Sequence, residues 1–344
     1  MVWRGHSRRA PTAWPSGAGW STWPTSRRSG RSGHETWPSP CGGPGRSCSG
    51  KAAPATRHPF FAEALRIGTN GLAAAPGDAE WTEAVQSAWI DAGEGWLAEG
   101  RIDEARQGFE RALDFARRRI DLDPADAEQR TALLSVAGSI ARLWEKSGRL
   151  SDAATHWTRV AEWFGRQADA ASDAKVRGGL RQARGKAEWE LGALYEAADR
   201  PDHAREALRA GALLQAEVLD DLALSPGVRV SELGNLSFHL VKAGEFDRAR
   251  QAAESALAIS PDSLWIIQNL GHARMFLGEY DAARDLNRRH ARVANVATGN
   301  RPLSWAAAAR GDFAAFRRLR ICTPEVEAVM KEIEALLPPT DSAP

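Results

Sequence analysis

The chain has 344 residues, 43% apolar and 26% charged, with a formal net charge of +1, a composition that supports a sizeable hydrophobic core. The charge is uneven: residues 1–58 carry nine Lys and Arg against the single Glu35, so taking their +8 from the total leaves −7 on residues 59–344. That balance argues against nucleic acid as the main ligand, because such affinity comes from Lys and Arg neutralising phosphates. Three cysteines, Cys41, Cys48 and Cys322, make neither a disulfide framework nor a metal site, and no run of 18 or more apolar residues occurs, so a cytoplasmic protein without a membrane segment is expected.

Residues 1–58 are built of Arg, Ser, Gly, Pro and Trp, with breakers such as Trp14-Pro15, Trp23-Pro24 and Trp37-Pro38. Such a segment buries too little apolar surface to offset chain entropy and is expected to be disordered. An over-extended start in a GC-rich gene would give the same bias. Gly45-Arg46-Ser47-Cys48-Ser49-Gly50-Lys51 has the spacing of a phosphate-binding loop, but Ala52 stands where a hydroxyl should hold magnesium and no strand precedes it. No nucleotide or other cofactor is expected.

From Phe60 onward the pattern is helical without a convincing strand. Helix-turn-helix units recur about turns marked by Gly100, Gly148, Asp199, Gly244, Gly278 and Gly311, at spacings of 48, 51, 45, 34 and 33 residues. Five residues after the first five turns lie Ala105, Ala153, Ala204, Ala249 and Ala283, where a small side chain lets paired helices approach closely. Four before the turn stand Trp96, Trp144, Tyr195 and Leu240, with Arg274 as the exception, and seven before it Gly93, Ala141, Gly192, Ser237 and Gly271. Bulk and hole thus alternate along one face of each first helix. Residues 60–75 read as the second helix of a unit lacking its first, whose apolar face invites self-association. A last helix is expected near Pro324–Leu337, and residues 338–344 form a disordered tail.

These spacings resemble the tetratricopeptide-repeat family. The resemblance implies an all-α, right-handed α-solenoid over residues 59–337, with about five units across 76–297 and helical pieces at both ends. It further implies a protein-protein interaction scaffold, and not an enzyme, that holds a partner's peptide or helix in a groove lined by the first helices. Carried over residue by residue, Asn235 and Asn269 match an Asn that holds ligand backbone in peptide-binding members, an amide being both donor and acceptor. The same face adds Phe238, Lys242, Trp265, Gln268, His272 and Phe276, and further along Arg142, Lys146, Lys186, Trp189, Glu190 and Glu196. Ser139 replaces the second-unit Asn, so capture of a free C-terminal carboxylate is not expected. The stretch Leu270–Arg284, with Trp305 and Gly311-Asp312-Phe313, is similar to bacterial repeat arrays that trail caspase-like or other signalling effector domains. A regulatory arm of such an enzyme is therefore the alternative reading.

No catalytic constellation accompanies the repeats. The histidines fall in different helices without the His-Glu-x-x-His spacing of a metal site, and no Gly-x-Ser-x-Gly elbow or dinucleotide fingerprint occurs. Cys322 reads as a small half-buried residue at a helix boundary.

Overall fold

The structure is a computed structural model describing residues 58–221, 224–296 and 303–339; the expectations for residues 1–57, the Gly45–Lys51 loop included, lie outside them. Thirteen helices follow one another among the described residues: α1 (His58–Ala74), α2 (Ala79–Ala98), α3 (Ile102–Leu122), α4 (Ala127–Lys146), α5 (Leu150–Ala170), α6 (Ala174–Ala197), α7 (Pro201–Asp221), α8 (Pro226–Ala243), α9 (Phe246–Ile259), α10 (Leu264–Phe276), α11 (Tyr280–His290), α12 (Trp305–Arg318) and α13 (Pro324–Leu336). Each helix from α1 to α10 packs on the next, and first helices of adjacent units touch as well, α4 with α6 and α8 with α10. This is an α-solenoid, with its first helices side by side on one face.

Five units, from α2–α3 to α10–α11, share one turn. Its central residue has a left-handed backbone, at Gly100, Gly148, Asp199, Gly244 and Gly278 (φ 75°, 71°, 53°, 82° and 84°). The following N–H closes the turn on the carbonyl four residues before it: Arg101 on Trp96, Arg149 on Trp144, Arg200 on Tyr195, Glu245 on Leu240 and Glu279 on Arg274, at 2.8–2.9 Å. Orphan carbonyls at the helix end are satisfied this way. The first helices α2, α4 and α6 open on side-chain caps: Asp78 accepts from Glu80 and Trp81, Asp126 from Glu128 and Gln129, and Asp173 from Val176.

Within each unit the small residues do what their spacing predicts. Ala105, Ala153, Ala204, Ala249 and Ala283 are all fully buried. The ring of Phe109 fills the space a side chain at Gly93 would need, and Leu208 does the same at Gly192. The large residue before the turn carries a lid that the spacing did not reveal. Arg101 lies over Trp96, Arg149 over Trp144 and Arg200 over Tyr195, with guanidinium-to-ring distances of 5.9, 4.3 and 5.1 Å. In the fifth unit, Arg274 replaces the ring and Glu279 replaces the lid, and the two pair at 3.5 Å. The exception to the sequence pattern is a swap of one contact for another.

The sixth turn is a correction. Gly311 lies inside α12, not between helices. The left-handed residue is Arg320 (φ 54°), and the Ile321 N–H closes on the Phe316 carbonyl as in the other units. Phe313, two residues after that expected turn, is a fully buried residue of α12. Gly311-Asp312 mimicked a turn because it continued the 33–34-residue spacing, but the helix runs through it, burying Ala306 and Ala309 before it and Phe313 and Phe316 after it, and that burial overrides the signal. α13 packs along α11 and touches α10, while α12 reaches across the first helices.

Candidate partner-binding groove

The face formed by α2, α4, α6, α8 and α10 divides into two parts. In the C-terminal part α12 itself is seated. Gln268 Nε2 donates to the Trp305 carbonyl at 3.2 Å, and Trp305 Nε1 donates to Asn287 Oδ1 at 2.8 Å. His272 Nε2 meets Asp312 Oδ2 at 2.9 Å, and its ring lies edge-on to Phe313 and Phe316, 5.6 and 5.1 Å away. Phe276 stacks on Phe246 at 4.4 Å and meets Phe316 edge-on at 5.2 Å. At the far end Arg318 reaches Glu196 of α6 at 2.6 Å, and the other oxygen of Glu196 takes Lys242 Nζ at 2.7 Å. Leu319 is buried in a cluster with Trp189, Ala204, Leu208 and Ala243.

Several residues expected to face a ligand pack between helices instead. Asn269 Nδ2 donates to the Gly234 carbonyl at 3.0 Å and to Ser237 Oγ at 3.1 Å, bolting α10 to α8. Trp265 occupies the space above Gly234. Trp189 stacks on His239 at 3.9 Å and fills the place of a side chain at Gly211. Phe238 is half-buried, with Lys242 Nζ 5.6 Å above its ring, and Asn235 is half-buried on the same helix. Lys186 is half-buried near Glu232, and desolvation outweighs that carboxylate and lowers its ammonium pKa.

The N-terminal part is open. Between α2, α3 and α4 lies a hollow of about 300 Å³. Leu97, Ala98 and Phe109 give its apolar walls, while Glu94, Ser139, Arg142 and Lys146 supply polar groups. Arg142 Nη2 donates to Ser139 Oγ at 2.9 Å, so the serine that replaces the expected Asn orients the guanidinium. Beside it Glu145 and Glu190 both have raised carboxyl pKa values, through desolvation first and, for Glu190, through the charge of Glu145; Arg142 opposes the rise at each. Sequence reasoning named Arg142, Lys146 and Glu190 but missed Glu94, Leu97 and the whole contribution of α12.

Among the described residues no group of His, Cys, Asp and Glu is arranged to hold a metal ion, and no helix is long and apolar enough to cross a membrane. Burial, then the charge of Glu327, pushes the half-buried Cys322 thiol up to about 11, away from a reactive thiolate.

No curated protein matches this chain. Among solved structures, BtubC (BKLC) from P. vanneervenii is 14% identical, covering 85% of this chain and 97% of its own at a TM-score of 0.40. A putative kinesin light chain of Podosopora anserina with nearly identical TPR-like repeats is 17% identical over 58% of this chain and 90% of its own, with a TM-score of 0.37. The apo form of RapI is 12% identical over 82% and 95%, with a TM-score of 0.38. Residues 240–295 match the Tetratricopeptide repeat family, and that segment shares its turn motif with the units before it. The chain is an α-solenoid of the tetratricopeptide-repeat type.

Proposed function

We propose that this chain is a protein-binding scaffold whose open face, formed by α2, α4 and α6, takes a peptide or helix of a partner. The observation that carries this reading is the hollow beside Arg142 and Lys146, where apolar walls meet charges of both signs. Burial of a partner's apolar side chain supplies affinity there, and the charged rim sets orientation. Glu145 and Glu190 are desolvated without full neutralisation, so a partner cation placed between them gains more than it would in water. The favoured guest is a segment with one apolar anchor and a Lys or Arg close to it.

The test is a pull-down from the source cell with the full chain as bait, beside an Arg142→Glu/Lys146→Glu variant and a control, Arg288→Glu, at an exposed position of α11. A partner held by the parent and the control but lost by the double variant supports the reading. A partner held equally by all three moves binding off this face.

A further inference from the structure

The seat of α12 is made by the face that serves as a ligand surface in the open half. Gln268, His272 and Phe276 of α10 and Glu196 of α6 are first-helix residues, and each contacts α12. The contacts follow the order of a docked helix. Trp305 comes first, its carbonyl on Gln268 and its indole held by Asn287 and His290 of α11, with the Asp312 carboxylate seven residues later, the Phe316 ring after eleven and the Arg318 guanidinium after thirteen. The first three share one stripe of the helix, and Arg318 extends from its end to a carboxylate that already holds Lys242.

α12 also departs from the way a sixth unit would stack. α13, the later helix of the pair, lies along α11, while α12 points back toward the third unit, where Arg205 Nη1 donates to the Leu319 carbonyl at 2.8 Å. Arg317 binds Glu327 and Glu334, and Arg310 donates to the carbonyls of Leu337 and Pro338, so α12 and α13 hold together as one hairpin.

We infer that α12 is a tethered occupant of the C-terminal half of the groove, and that this half takes in its place a partner helix of the same chemistry: an indole, then a carboxylate, an aromatic ring and a guanidinium at the spacings of α12. The inference rests on the scaffold reading and adds a second, normally filled site to the open one. A partner of this kind competes with a local segment at high effective concentration, so it binds weakly until the hairpin is loosened.

The experiment uses a fluorescently labelled peptide of residues 303–320 and the full chain, as wild type and as Phe316→Glu/Arg318→Glu. The peptide is expected to bind the variant at least tenfold tighter than wild type, and to lose at least tenfold when its own Trp305 and Phe316 positions carry Ala. Equal binding to both chains, or binding indifferent to the peptide's substitutions, overturns the inference. Hydrogen exchange on the wild type decides independently of whether the variant folds. Faster exchange in α12 and α13 than in α8–α11 supports an exchangeable hairpin, and equal protection overturns it. A concentration-dependent dimer of the variant would assign the vacated seat to a second copy and also overturn it. Because the probe is the chain's own helix, these outcomes are independent of whether the pull-down on the open half finds a partner.

Discussion

Asp199 and Arg320, the only non-glycine residues with left-handed backbone among those described, are ion-paired with each other at 3.1 Å across 121 positions of sequence. Each occupies a turn where four other units place Gly. A side chain in that conformation costs about 1 kcal/mol, and a pair this exposed returns only about 0–1 kcal/mol. The two turns together cost about 2 kcal/mol, more than the pair returns, so the pair contributes register and not net stability. It joins the turn after α12 to the turn of the third unit.

Replacing Asp199 with Gly is therefore expected to leave stability unchanged or to raise it by up to about 1 kcal/mol, from relief of backbone strain. The same change should speed hydrogen exchange in α12. Urea unfolding and exchange measured on one preparation check both, and a clear drop in the urea midpoint would show that the pair carries more than register.

Gly211→Ala tests the packing of the third unit. A side chain there meets the Trp189 ring at 2.4 Å and the Gly185 carbonyl at 2.9 Å, and the latter is backbone. Overpacking of this kind costs about 1–3 kcal/mol. Gly227→Ala, which opens on free space, is the control and should unfold at or slightly above the parent's midpoint, since Ala favours the helix over Gly.

Acid should weaken the fold through two histidines. Burial, then the neighbouring Lys242 ammonium, pushes the His239 imidazole from its usual 6.5 down to about 3, and burial takes His156 to about 4. The unfolded chain takes up these protons first, so their stability contribution is complete above pH 6.5 and is lost as pH falls from there toward 3–4. The raised carboxyls of Glu145 and Glu190 run the other way, contributing at low pH and losing that contribution as pH rises through their folded values. Comparison with a His156→Phe/His239→Phe variant isolates the histidine part. Its melting temperature should fall less than the parent's between pH 7 and 5, and parallel curves would contradict the assignment.

Asn269→Ala should destabilise by about 1–3 kcal/mol, because it removes the buried amide donor shared by the Gly234 carbonyl and Ser237 Oγ, leaving the carbonyl with the Ser237 hydroxyl and that oxygen with no donor from α10. Thermal unfolding reads this directly. A partner lost with this variant would report loosening of α8 and α10 before it reported a lost ligand contact.

The unit architecture was legible because it is local. The left-handed turn, the small residue five positions later and the bulk four positions earlier all lie within one helix-turn-helix, so Ala105 through Ala283 could be placed from spacing alone. In the third unit the Trp189 indole lies over Gly211, in the volume a side chain there would need. The seat of α12 was illegible because its partners are remote. Arg318 and Glu196 are 122 positions apart, and nothing in the repeat period states where the helix after the last regular unit turns. Gly311-Asp312 then supplied a false turn at the expected distance. Assigning Asn269 to a ligand failed to anticipate a nearer claim on its amide, made by α8.

The most direct test of the account is a double-mutant cycle between Glu196→Gln and Arg318→Ala, read by urea unfolding. The Glu196 carboxylate is nearly buried between two cations, whereas the Arg318 side chain is 41% exposed, so the account predicts a larger loss for Glu196→Gln and a coupling between the two of about 1–2 kcal/mol. Strictly additive losses would contradict it, for they would mean that α12 does not lie across the groove to the third unit.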